Sequence, residues 1–196
     1  MDAKRKKDYT AYILPMLFCG LLIVLAVVTD RQKPRSVKAV LQEGEPLTLN
    51  EQAIENYLYS GGFTLAGDAV LTNDGRKAAA LTVTMDADGS IEGVTLSYPL
   101  PTYYETGNGG DILSGLKANH DAAAQQGVDM FLCLFDAIAA TDGRAAARRD
   151  GAVEKLRSTM DTGKASVQTA NSWRFSFSLE PGEIEGAVTI LFEKVK

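Results

Sequence analysis

The stretch WRFSFSLEPGEIEGAVTILF, residues 173 to 192, decides the fold. Trp173, Phe175, Phe177 and Leu179 alternate with Arg174, Ser176 and Ser178, a period of two that gathers four apolar side chains on one face of a strand. PGE then turns the chain, and Ile184, Val188, Ile190 and Phe192 fall on one face of a second strand. A hairpin with a single apolar face has to be covered on that face, and helices are the economical cover.

An earlier segment repeats the pattern. Ala79, Leu81, Val83 and Met85 alternate with Ala80, Thr82 and Thr84, and Val94, Leu96 and Tyr98 alternate with Thr95 and Ser97. Between them, Asp86, Asp88 and Gly89 resemble part of a calcium loop. With Gly89 at the sharp-turn position, however, Thr84 takes the first ligand position and Thr95 the bidentate-glutamate position, so the motif fails at both ends. An Asp-Gly hairpin turn with Gly89 at positive φ accounts for the same letters.

The covering helices are legible by their period. Thr48 and Glu51 form a capping-box signature, Ala53, Ile54, Tyr57 and Leu58 recur at helical spacing, and Gly61-Gly62 closes a helix over 50–60. A later helical block divides into a short piece with Ile112, Leu113 and Leu116 and a core helix with Val128, Phe131, Leu132, Phe135 and Ile138. Asp142-Gly143 breaks the block. RAAARRDGAVEKLRSTMD reads as a further helix with Val153, Leu156 and Met160 inward and Gly163 near its end. Its Arg144, Arg148 and Arg149 read as a solvated face. The expected fold is α+β, a mainly antiparallel sheet with helices packed on one face. Because SIEGVTLSY and EIEGAVTILF each begin a second strand, the pattern admits two helix-hairpin units.

Upstream, YTAYILPMLFCGLLIVLAVVT, residues 9 to 29, holds no charged residue. As a helix rising about 1.5 Å per residue it spans roughly 31 Å, the thickness of a bilayer core. The run exceeds a signal-peptide core and ends in AVVTD, which favours an uncleaved anchor. The bulky Phe18 before Cys19 disfavours lipidation. Lys4 to Lys7 form a dense basic group on a very short tail, which favours the N-terminus inside. The expected organisation is a basic cytoplasmic tail (1–8), a transmembrane helix (9–29), a linker (30–46) with a short strand from Val37 to Leu41, and an extracytoplasmic α+β domain (47–196).

Net charge is −5 overall, yet the first 35 residues carry seven basic residues against three acidic ones. The remainder therefore holds thirteen basic and twenty-two acidic residues, a balance of −9 that makes nucleic acid a poor partner. Cys133 is the one cysteine beyond the anchor, which excludes a disulfide within the domain, and its apolar surroundings read as a buried thiol.

Chemistry is constrained by what is scarce. His120 is the single histidine, so neither a His/Cys metal cluster nor any cofactor site is expected, and GNGGD lacks the Gly-Lys-Ser/Thr ending of a phosphate loop. A Ser-His-Asp triad would have to use His120, with no GxSxG beside it; a helix-boundary or surface histidine is the plainer reading. Ser114 and Lys117 make an S-x-x-K pair, without an accompanying SDN or KTG. Paired carboxylates for glycoside hydrolysis depend on a separation in space that spacing alone does not supply. YPLPTYYETGNGGD, residues 98 to 111, offers amphipathic rings, and Tyr98, Tyr103 and Tyr104 are the candidate binding residues.

The expected function is that of a single-pass bacterial envelope protein, held in the bilayer through residues 9–29, whose outer domain binds or scaffolds another protein or a cell-wall component. The alternative is an envelope-polymer hydrolase, serine- or carboxylate-based. The oligomeric state is left open.

Overall fold

The computed structural model describes residues 49–103 and 110–195. The anchor at 9–29, the linker with its strand at 37–41, Thr48 and Tyr104 lie outside the described residues. Among the described residues no helix is long and apolar enough to cross a membrane.

Helix α1 spans Glu51–Ser60, and four strands follow it: β1 (Phe63–Ala66), β2 (Ala69–Thr72), β3 (Lys77–Met85) and β4 (Ile91–Pro101). Helix α2 (Gly110–Thr141), a 3₁₀ turn (Ala146–Arg148) and helix α3 (Arg149–Thr162) lead to β5 (Ser166–Ala170), β6 (Trp173–Glu180) and β7 (Glu185–Lys194). The strands form one sheet in the order β1-β2-β3-β4-β7-β6-β5, with every neighbouring pair antiparallel. The fold is therefore α+β with a seven-stranded antiparallel sheet.

The sheet closes at β4 and β7, which pair from Gly93 with Glu193 to Pro101 with Glu185. Val94, Leu96, Tyr98 and Leu100 on β4 and Val188, Ile190 and Phe192 on β7 are buried, while Thr95, Ser97 and Thr189 between them are half-buried. That alternation places the core on one face. Phe131 of α2 lies there with ring centroids 5.6 Å from Phe177 and Phe192 and 6.4 Å from Phe175, within the range of favourable edge and offset contacts.

Two glycines set how closely the helices approach. A Cβ at Gly127, inside α2, would stand 2.1 Å from Cζ of Tyr98, so the missing side chain lets the Tyr98 ring lie against the helix backbone. At Gly61, which caps α1, a Cβ would stand 2.2 Å from Sγ of Cys133. Gly127, inside its helix, exchanges helix propensity for contact distance.

Several expectations are corrected. The helical block 110–141 is one continuous helix rather than two pieces, and His120 lies within it rather than at a boundary. The N-cap of α1 is Asn50, whose Oδ1 accepts the N–H of Ala53 at 2.8 Å, so the capping signature at Thr48 falls too early. Ile184 is 85% exposed and precedes β7, because its carbonyl accepts the Thr102 N–H in the turn instead of entering the ladder. Ile91 is 3% exposed, so the shared IEG letters occupy unlike environments and mark no structural equivalence. Strands β1, β2 and β5 were not expected. The Asp-Gly turn is as expected: Gly89 has φ +77, and Oδ1 of Asp86 accepts the N–H groups of Asp88 and Ser90.

Candidate functional site

A cleft of about 340 Å³ opens at the end of β4, where the strand runs out into Leu100, Pro101, Thr102 and Tyr103. His120 of α2 and Met160 and Asp161 of α3 form its helical side, and Leu179, Pro181 and Gly186 come from β6, the β6–β7 turn and β7. Leu100 and Met160 are buried and supply an apolar floor.

The rim is fixed by hydrogen bonds across distant parts of the chain. Thr102 donates its backbone N–H to the carbonyl of Ile184 and its hydroxyl to the carbonyl of Gly182, both at 2.9 Å, which pins the β6–β7 turn against the end of β4. Nδ1 of His120 lies 2.7 Å from the carbonyl oxygen of Pro101. A carbonyl only accepts, so Nδ1 carries the proton and Nε2 is the acceptor of the neutral ring. Tyr103 meets His120 edge-on at 4.7 Å between centroids, and Nζ of Lys117 stands 5.6 Å from the Tyr103 ring centre, a cation–π distance.

Of the candidate tyrosines, Tyr103 lies at the cleft. Tyr98 is 2% exposed, and its hydroxyl donates to Sδ of Met160 at 3.0 Å, so its side chain packs beneath a residue of this cleft, while the residue also borders a second cleft across the sheet. Burial raises its phenol well above the ordinary 10.0, which keeps the hydroxyl a donor. His120, Asp161 and the Pro181 turn had no sequence signal tying them to Tyr103, since the fold gathers them from separate elements.

The serine-lysine pair sits on α2 among exposed positions, with Nζ of Lys117 2.6 Å from Oδ2 of Asp121, one helical turn on. Cys133 is buried, and its thiol is pushed up to about 11 by desolvation, then by Asp136 and Asp129, which disfavours a thiolate. Among the described residues no group of three His, Cys, Asp or Glu side chains is placed to hold a metal ion. Arg149 of the basic face pairs with Asp136 at 3.0 Å and ties α3 to α2. A second, larger cleft of about 510 Å³ lies across the sheet ends beside Lys77, Ala80, Pro99 and Glu185, lined mostly by small side chains.

Fold and site together define an α+β sheet domain with a small, apolar-floored cleft at the end of its central strands. No family model, curated protein or solved structure matches the chain.

Proposed function

We propose that the chain is a single-pass membrane protein of the bacterial envelope whose α+β domain, outside the membrane, binds or scaffolds another protein or a cell-wall component. The uncharged run 9–29 and the basic group Lys4 to Lys7 support the anchor and its direction. The observation that carries the binding reading is the cleft at the end of β4, whose groups are set for contact. The inner nitrogen of His120 is spent on a backbone carbonyl, and an aromatic ring and a carboxylate stand over an apolar floor.

Protease shaving of intact cells or spheroplasts, probing a C-terminal tag, tests the placement. Loss of the tag with a cytoplasmic control intact is expected; protection until lysis overturns the orientation and the partners with it. Release of the full-length chain from membranes by high salt alone overturns the anchor. Crosslinking on the anchored protein is expected to recover a partner that a Tyr103→Ala variant recovers less well, and failure of both variants to recover any partner removes the scaffold reading.

A further inference from the structure

We infer that the cleft at the end of β4 is a receptor for a cation on an aliphatic stem, the chemistry of a lysine or arginine side chain. This rests on the binding reading above and names its ligand. Asp161 lines the cleft, and among the described residues its carboxylate has neither a hydrogen-bond nor an ion-pair partner. Asp161 is the penultimate residue of α3, and the last turn of that helix contains no basic residue. A helix C-terminus already carries negative partial charge, so a carboxylate there opposes the helix's own preference. Sequence features that work against local structure concentrate where a protein meets a ligand. A cation entering the cleft relieves both terms at once.

The remaining lining suits the stem. Leu100, Met160 and Leu179 offer an apolar bed for methylene groups, the packing that long basic side chains use. The surrounding charge agrees in sign: Glu180, Glu183 and Glu185 flank the turn that forms one wall, and all three are exposed. Lys117, the cation beside Tyr103, is held by Asp121 and the Tyr103 ring, and among the described residues that line the cleft there is no lysine or arginine. An anionic ligand would meet Asp161 and the acidic turn with no lining lysine or arginine to offset them.

The test is saturation-transfer NMR on the full-length chain in neutral detergent, titrated with Ac-Ala-Lys-Ala-NH2 and with its norleucine and glutamate counterparts. Asp161 is exposed, so the lysine peptide is expected to bind about threefold to fivefold more tightly than the norleucine peptide, the increment of one solvent-exposed ion pair. Asp161→Asn is expected to abolish that preference and Asp161→Glu to retain most of it. Equal binding of the lysine and norleucine peptides, or an undiminished preference in Asp161→Asn, overturns the proposal. 1,5-Diaminopentane separates the sources, since equal affinity identifies a free amine as the ligand and weaker affinity a peptide-borne side chain, and either result supports the cation site. A crosslinked envelope partner that survives Asp161→Asn unchanged leaves the scaffold reading intact and overturns this one.

Discussion

Two halves of the sheet meet at β4 and β7, and they are filled with different material. The N-terminal half buries mainly small and aliphatic side chains, Val70, Ala78, Ala79, Leu81, Val94 and Leu96, with Phe63 and Tyr98 as its aromatics, whereas the C-terminal half buries Trp173, Phe175, Phe177 and Phe192. A missing side chain lets a neighbour come close, as the Tyr98 ring does against the α2 backbone at Gly127. Rings hold elements apart and fill the gap with area. One sheet thus uses close approach on one side and aromatic volume on the other, and each strategy is broken by a different kind of substitution.

The largest expected effect is in the aromatic half. Phe131→Ala removes the ring that meets Phe135, Phe175, Phe177 and Phe192, and should cost about 3–5 kcal/mol in urea unfolding. Should hydrogen exchange show protection lost only in β5–β7, the halves are separate cooperative units and the comparison sharpens. Uniform loss shows that the β4–β7 closure makes them one.

Gly127→Ala should destabilise by about 1–3 kcal/mol through overpacking against Tyr98, despite the better helix propensity of alanine. Combining it with Tyr98→Leu should cost less than the sum of the two single changes, read from a double-mutant cycle. Additive costs would mean that the close approach is not what holds α2 to β4. A smaller effect is expected from Val70→Ala in the aliphatic half, about 1.5 kcal/mol for two buried carbons. A cost equal to that of Phe131→Ala would erase the contrast between the halves.

The smallest effect is electrostatic. Burial alone would raise the carboxyl of Asp142, but hydrogen bonds from Asn171 and Ser172 outweigh it and hold it below the ordinary 3.8. A lowered folded-state value means that the stabilisation is present above the unfolded value and is lost as pH falls through the folded one. Asp142→Asn should therefore lower the midpoint slightly at neutral pH and leave a shallower acid dependence below about pH 4. An unchanged acid limb would show that the β5–β6 turn is held without this carboxylate.

Legibility in the sequence follows the same division. The aromatic hairpin announces itself because eight or more residues of alternation survive in β6 and β7, and the stripe Val128, Phe131, Phe135, Ile138 gives the core helix. β1 and β2 have four residues each, FTLA and AVLT, too few for a period to emerge. β5, SVQTA, is a polar edge strand whose pairing partner, not its composition, makes it a strand. The helical block reads as two pieces because no large apolar residue falls between Leu116 and Val128, and Gly127 in that gap has its reason in a ring on another element. Of the cleft, the loop ending in Tyr103 was legible by composition. His120 and Asp161 were not, because their meeting depends on the crossing of α2 and α3 over the sheet ends.

The pairing of β4 with β7 also bears on how the chain is made. β4 ends at Pro101 and its partner begins at Glu185, so a ribosome or translocon delivering the chain in order exposes one open edge of β4 until the whole helical block and two further strands have emerged. During that interval the first four strands are a half-sheet with an unsatisfied ladder, the kind of edge that other chains can pair with. Completion of the domain is thus coupled to delivery of its last strand. Removing residues 185–194 would take out an interior member of the sheet and leave two fragments without their common seam.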